Sequence, residues 1–208
     1  MFKEAVGGPG PTCTIYKSLL NNARKEGGIR SDFELAMFIA NSMQESDKFK
    51  TTVEYCKPPL GKHPDGHDCE IYDKQTDCVG KYNAPKDKRY FGRGYIQLTH
   101  CYNYAAASKR LLGNDDLIKH PEWVEKPDLA MRTALDFWKH NVRQKQEFKN
   151  NHRDFGSVIH TINGMECKKD HQGAVNRVKY LNDLLKKFNI KSKPVLDGCK
   201  SLRGKSFN

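Results

Sequence analysis

No stretch of this 208-residue chain stays apolar for anything near the twenty residues that a membrane-spanning helix needs, so such a span is excluded. Alternating strand patterns are scarce. No internal repeat is visible, and no Pro/Ser/Gly-rich linker or shift of composition divides the chain. The expectation is a single, mainly α domain over residues 1–208. A long basic run is missing too: Lys168-Lys169 and Lys186-Lys187 are only pairs, although 36 basic against 25 acidic residues give a formal charge of +11. Without a recognition motif that surplus does not indicate nucleic-acid binding. It reads as solvated lysines, or as an attraction to anionic walls. Met1 to Pro11 holds no apolar h-region, which leaves either a signal peptide already removed or another route of export.

Helical periodicity is what the chain does have. It predicts helices near 12–25, 32–44, 97–112, 128–142, 154–162 and 173–188, with room for a short hairpin. Ser31-Asp32-Phe33-Glu34 has the form of a capping box, and Asp154 is a natural N-cap. Leu35, Phe38, Ser42 and Glu45 fall on one stripe of the helix from 32, which points Glu45 along a partly buried face. Burial and the negative end of the helix dipole both disfavour its ionised form, as a general acid requires. Glu54 follows Thr51-Thr52-Val53, an extended and more solvated setting that suits a base. A carboxylic acid and a carboxylate are the usual requirements for hydrolysing a sugar acetal. On spacing alone both are ordinary surface glutamates.

Residues 90–104, YFGRGYIQLTHCYNY, carry more weight. They resemble the core signature of glycoside hydrolase family 19 chitinases, a Tyr/Phe-Gly-Arg-Gly-x-Ile-Gln-Leu-Ser/Thr run before an Asn-Tyr pair. Phe38–Glu45, FIANSMQE, is similar to the family's helix ending in its catalytic Glu, and the step from 45 to 54 matches its compact members. Ala134–Trp138 with Asn141-Val142, Thr161–Gly164 with Glu166-Cys167, and Asn176–Val178 follow in the family's order, so the resemblance runs from about residue 33 to 199.

The resemblance implies a lysozyme-like, cleft-forming catalytic domain with Glu45 as general acid, Glu54 as general base and Thr99 holding the nucleophilic water. Gln97, Tyr102, Asn103, Asn163 and Arg177 match sugar-contacting or cleft positions. Read by themselves, these residues say less. Amides suit hydroxyl and N-acetyl groups, and Tyr102 and Tyr104 offer flat faces for pyranose rings. Yet Tyr104 and Phe91 also read as core, Asn163-Gly164 as a turn, and Arg177 as solvent-facing on an amphipathic helix. The chain departs from the family at Gln44, where His is usual, at Tyr95, where plant-type enzymes have Pro, and at His100 and Cys101, where an aromatic and an Asn are common.

Seven cysteines suggest an exported, disulfide-bearing protein. Six cysteines allow 15 pairings. The resemblance implies Cys69 with Cys78, Cys167 with Cys199 and Cys13 with Cys56, leaving Cys101 free and buried. Lys57–Asp87 is a long irregular stretch rich in Pro, Gly, Asp and Lys, expected as a stapled loop forming one wall of the cleft. Its His63, Asp65, His67, Asp68, Cys69 and Cys78 are ligand types, but Pro58, Pro59, Pro64 and Gly66 break the helix that a His-x3-His zinc site would need. No metal or cofactor is expected.

The resemblance thus implies a secreted, monomeric endochitinase acting on chitin or its oligosaccharides by inversion. A peptidoglycan hydrolase and a non-catalytic chitin-binding protein are the alternatives; the presence of both glutamates speaks against the second.

Overall fold

The computed structural model describes residues 13–54, 76–168 and 171–207. Nine α-helices follow one another there: α1 (Cys13–Asn22), α2 (Asp32–Glu45), α3 (Thr76–Tyr82), α4 (Cys101–Leu112), α5 (Asp116–Lys119), α6 (Pro127–Phe137), α7 (Gln146–Asn150), α8 (Phe155–Ile162) and α9 (Gln172–Lys187). Short 3-10 turns stand at Pro121–Glu125, Gly164–Cys167 and Lys200–Leu202. Among the described residues, isolated bridges stand in place of a hairpin: Val53 to Arg93, Arg93 to Leu98 and Asp154 to Val195. The fold is mainly α, and none of the described helices is long and apolar enough to cross a membrane.

Helix α2 is the centre of the molecule. Ser31 caps it by accepting from Glu34 N, but only half of the capping box forms. The Glu34 carboxylate accepts instead from Arg30 N at 3.1 Å, from Trp138 Nε1 at 2.9 Å and from Arg143. Tertiary partners outbid the local bond because Glu34 is buried, where a carboxylate needs charged or N–H donors. Ala36 to Met43 are all buried, so α2 is enclosed on nearly every side rather than along one stripe. Helix α9 lies along it, and α1 packs on α6. Phe38 meets Trp138 edge-on at 5.6 Å, and Trp138 meets Phe148 likewise at 6.1 Å. Burying a side chain such as Phe38 contributes about 1.5–3 kcal/mol.

Two expected helices end differently. The helix predicted from 97 begins at Cys101, because Gln97 (φ 53°) and His100 (φ 70°) hold left-handed backbone that no α-helix continues. The helix predicted through 142 changes at Trp138 into a π turn, Trp138–Val142. Asp154 caps α8 as expected, accepting from Ser157 N at 2.9 Å. The tail crosses that point so closely that a Cβ on Gly156 would lie 2.4 Å from Leu196 O. Glycine is therefore required there for backbone to meet backbone.

The disulfides correct the expected scheme in part. Cys167 pairs with Cys199 as implied. Cys78, however, pairs with Cys101, which stands at the head of α4 where the family commonly has Asn. The α carbons lie 5.8 Å apart, within ordinary disulfide reach. The expected Cys69–Cys78 bond and the free Cys101 are thereby overturned. Cys13 is free and exposed, not joined to Cys56; Cys56 and Cys69, like the zinc-type residues from His63 to Asp68, lie outside the described residues. Peptide mapping without reduction is expected to find the Cys78–Cys101 crosslink, and iodoacetamide should label Cys13 in the native protein while sparing Cys101. Rapid labelling of Cys101 would refute the pairing. Closing this loop, with a sequence separation of 23, contributes about 3 kcal/mol by chain entropy.

Candidate active site

Glu45 is the last residue of α2, and its side chain is 15% exposed. Its carboxylate accepts from Arg177 Nη2. Arg177 projects from α9 into the interior, 1% exposed, and is held on three sides. Its Nε donates to Glu166 Oε2 at 2.8 Å, its Nη2 to Glu166 Oε1 at 2.9 Å, and its Nη1 to Asn41 Oδ1 at 3.0 Å. Asn163 Nδ2 donates to Glu166 Oε1 at 3.2 Å. One buried guanidinium thus serves two carboxylates.

Burial drives the Glu45 pKa up; Arg177 opposes this by charge and hydrogen bond, and the negative charges of Glu166 and Glu54 reinforce it. The net direction is upward. Burial works the other way on Arg177, but Glu45 and Glu166 outweigh it and hold the guanidinium charged. A carboxyl group that retains its proton toward neutral pH is a competent proton donor.

Glu54 is positioned by backbone. Its N–H donates to Gly92 O at 2.9 Å, and its Oε2 accepts from Gly92 N at 2.7 Å. Gly94 N donates to Thr52 O at 2.8 Å, completing a narrow two-segment clasp. Gly92 has to lack a side chain: an added Cβ would stand 2.7 Å from Gln97 Oε1 and 3.0 Å from Glu54 Oε2. The same contacts place Gln97 and Glu54 side by side. Glu54 and Glu45 are near enough for the charge of one to act on the other.

A cleft of about 420 Å³ continues from Gln97 and Thr99 past His100, Tyr102 and Asn103 to Asn141 and Thr161. Neither Glu45 nor Glu54 lines it, although Glu54 stands beside Gln97. Thr99 Oγ1 donates to Gln97 O at 2.8 Å, Gln97 Nε2 to Gly94 O at 3.0 Å and Asn103 Nδ2 to Thr99 O at 2.8 Å, so the polar side chains of this wall brace its own backbone. Tyr102 is 52% exposed, with its ring stacked on His100 at 5.4 Å. Tyr104, read from sequence as a possible sugar platform, is core: fully buried, it donates to Phe91 O at 2.7 Å. The π turn carries Asn141 into the cleft.

Thr99, Gln97, Tyr102 and Asn103 therefore share one wall, and Arg177 and Asn163 share the network behind Glu45. Glu166 and Asn41 were not foreseen as site residues. The signal was available. Ala174, Arg177, Val178 and Leu181 recur at helical spacing, so Arg177 falls in the buried stripe of α9 and demands a buried acid.

The chain matches the family model described as chitinase class I over residues 30–198. It is 38% identical over 143 residues to the basic endochitinase CHB4 of Brassica napus, covering 64% of this chain and 51% of that protein. With chitinase 4 of Oryza sativa subsp. japonica it shares 31% identity over 193 residues, 88% of this chain and 61% of the relative. The chain thus spans between about half and three fifths of the length of these relatives. Chitinase C of Streptomyces griseus superposes with a TM-score of 0.69 at 25% identity, covering 94% of this chain and 93% of that one. The class IV chitinase of Zea mays superposes equally well, at 0.69 and 23% identity over 92% and 88%, a likeness of fold. With a family match across most of its length, the chain belongs to glycoside hydrolase family 19.

Proposed function

We propose that this protein is a secreted endochitinase that cleaves β-1,4 bonds of N-acetylglucosamine polymers with inversion. The observation that carries the reading is a buried Glu45, its pKa raised, within electrostatic reach of a Glu54 oriented by the Gly92 N–H. Glu45 protonates the glycosidic oxygen. Glu54 takes a proton from a water, which attacks the anomeric carbon from the opposite face; Thr99 helps to hold that water. Inversion needs the two carboxyls roughly 6.5–9.5 Å apart, leaving room for the water. Gln97, Asn103 and Asn163 serve the sugar's hydroxyl and acetamido groups, and Tyr102 its ring face. The disulfides Cys78–Cys101 and Cys167–Cys199 suit an oxidising compartment.

The charge of +11 would also suit an anionic bacterial wall glycan, but the cleft does not share it. Among the described residues its lining carries no Lys, Arg, Asp or Glu, which favours a neutral polymer. Hydrolysis of a chitin hexamer, followed by proton NMR from the first turnover, is expected to give the α-anomer at the new reducing end. The β-anomer would overturn inversion; release of soluble glycan from bacterial walls but not from chitin would overturn the substrate.

A further inference from the structure

We propose that the Cys78–Cys101 disulfide is a positioning device for the sugar-binding wall, setting substrate affinity although neither sulfur touches substrate. The proposal rests on the saccharide reading of the cleft given above.

Cys101 opens α4 and is buried, while the residues on either side of it, His100 and Tyr102, line the cleft, as does Asn103. Anchoring Cys101 inward therefore turns its neighbours outward, because successive side chains in a helical turn point about 100° apart. The exposed Tyr102 ring then lies nearly parallel to His100, at an angle of 14°.

His100, at the N-cap, makes no side-chain capping bond, and its φ of 70° lies in a region that residues with a Cβ occupy only when their surroundings impose it. Gln97, three residues earlier, is left-handed as well. Three constraints hold the segment from the chain before it: the paired backbone bonds between Arg93 and Leu98, His100 N donating to Tyr90 O at 2.8 Å and, at the end of the first turn, Tyr104 Oη donating to Phe91 O at 2.7 Å. The disulfide to α3 holds it from the other side, at the residue where the platform begins.

Opening the bond leaves Glu45 and Glu54 where they are, since α2 and the Gly92 clasp fix them independently. It loosens the His100–Tyr102 platform at the start of the turn, whose far end Tyr104 still anchors. Substrate then has to order that wall on binding, so the loss falls on affinity rather than on the chemical step.

The test is the double variant C78S/C101S, assayed for hydrolysis of a chitin hexamer and for binding of that hexamer by calorimetry in an E45Q background. The expected result is a KM and a Kd each higher by roughly tenfold, with kcat within about threefold. C78A/C101V, which keeps the buried volume apolar, provides the same comparison should the serine pair fail to fold. A lower melting temperature with unchanged KM and Kd would make the bond merely structural and overturn the proposal. A fall in kcat at unchanged KM would overturn it equally, placing the effect at the acid and base. If the wild-type protein hydrolyses no chitin, the endochitinase reading fails, whereas the hexamer Kd still decides whether the bond positions the wall.

Discussion

Glu45→Gln is expected to reduce chitin-oligomer hydrolysis by about 10²–10⁴-fold while leaving oligomer affinity within roughly tenfold. The amide keeps the shape and can still accept from Arg177, but it has no proton to give to the leaving oxygen. Arg177 remains paired through Glu166, so the fold should survive the change. Glu54→Gln is expected to lose activity to a similar degree for the complementary reason, since an amide cannot take the proton of the attacking water. Steady-state rates together with calorimetric binding check both. Near-normal turnover in either variant would remove that residue from its role.

The second large effect is expected at Glu166. Replacing it by glutamine deprives a buried guanidinium of its bidentate carboxylate, and breaking a buried ion pair from one side costs about 3–5 kcal/mol. Activity should respond in pH as well as in amount. The Glu166 charge is one of the influences raising the Glu45 pKa, and without it Arg177 turns wholly to Glu45, so that pKa falls. A general acid works while protonated. Its activity is lost as pH rises through its pKa, and the alkaline limb of kcat/KM should therefore move to lower pH in the folded variant. Thermal melts and a pH–rate profile are the measurements; an unmoved limb would show that Glu166 only supports the fold.

Much of this was legible in the sequence because it is local. The N-cap at Asp154, the apolar spacing of α2 and the mainly helical class follow from near neighbours along the chain. The position of Glu45 at the end of α2 is of the same kind. What stayed hidden depends on residues far apart. Glu34 looked like half of a capping box, yet Trp138 and Arg143 claim its carboxylate. The family resemblance implied Cys69 as the partner of Cys78, yet the fold brings Cys101 within reach. The start of α4 was misplaced because the left-handed turns at Gln97 and His100 leave no mark in apolar periodicity. Arg177 was an intermediate case. Its buried phase on α9 could be counted from sequence, but its two acids could not be assigned without the fold or the family pattern.

The tail has a consequence for biosynthesis. Glu166 precedes Cys167, whose partner is Cys199, and its carbonyl accepts from Ser201 Oγ at 2.8 Å. Val195 and Leu196 lie against the start of α8 through the opening that Gly156 leaves. The carboxylate that helps to raise the Glu45 pKa is thus locked by a segment some way further along the chain, the Cys167–Cys199 separation being 32. Residues 32–94 suffice for α2 and the Gly92 clasp, but the proton donor is tuned only after residues 195–201 have docked and the Cys167–Cys199 disulfide has closed. Catalytic competence should therefore follow oxidation of the Cys167–Cys199 pair rather than collapse of the helices.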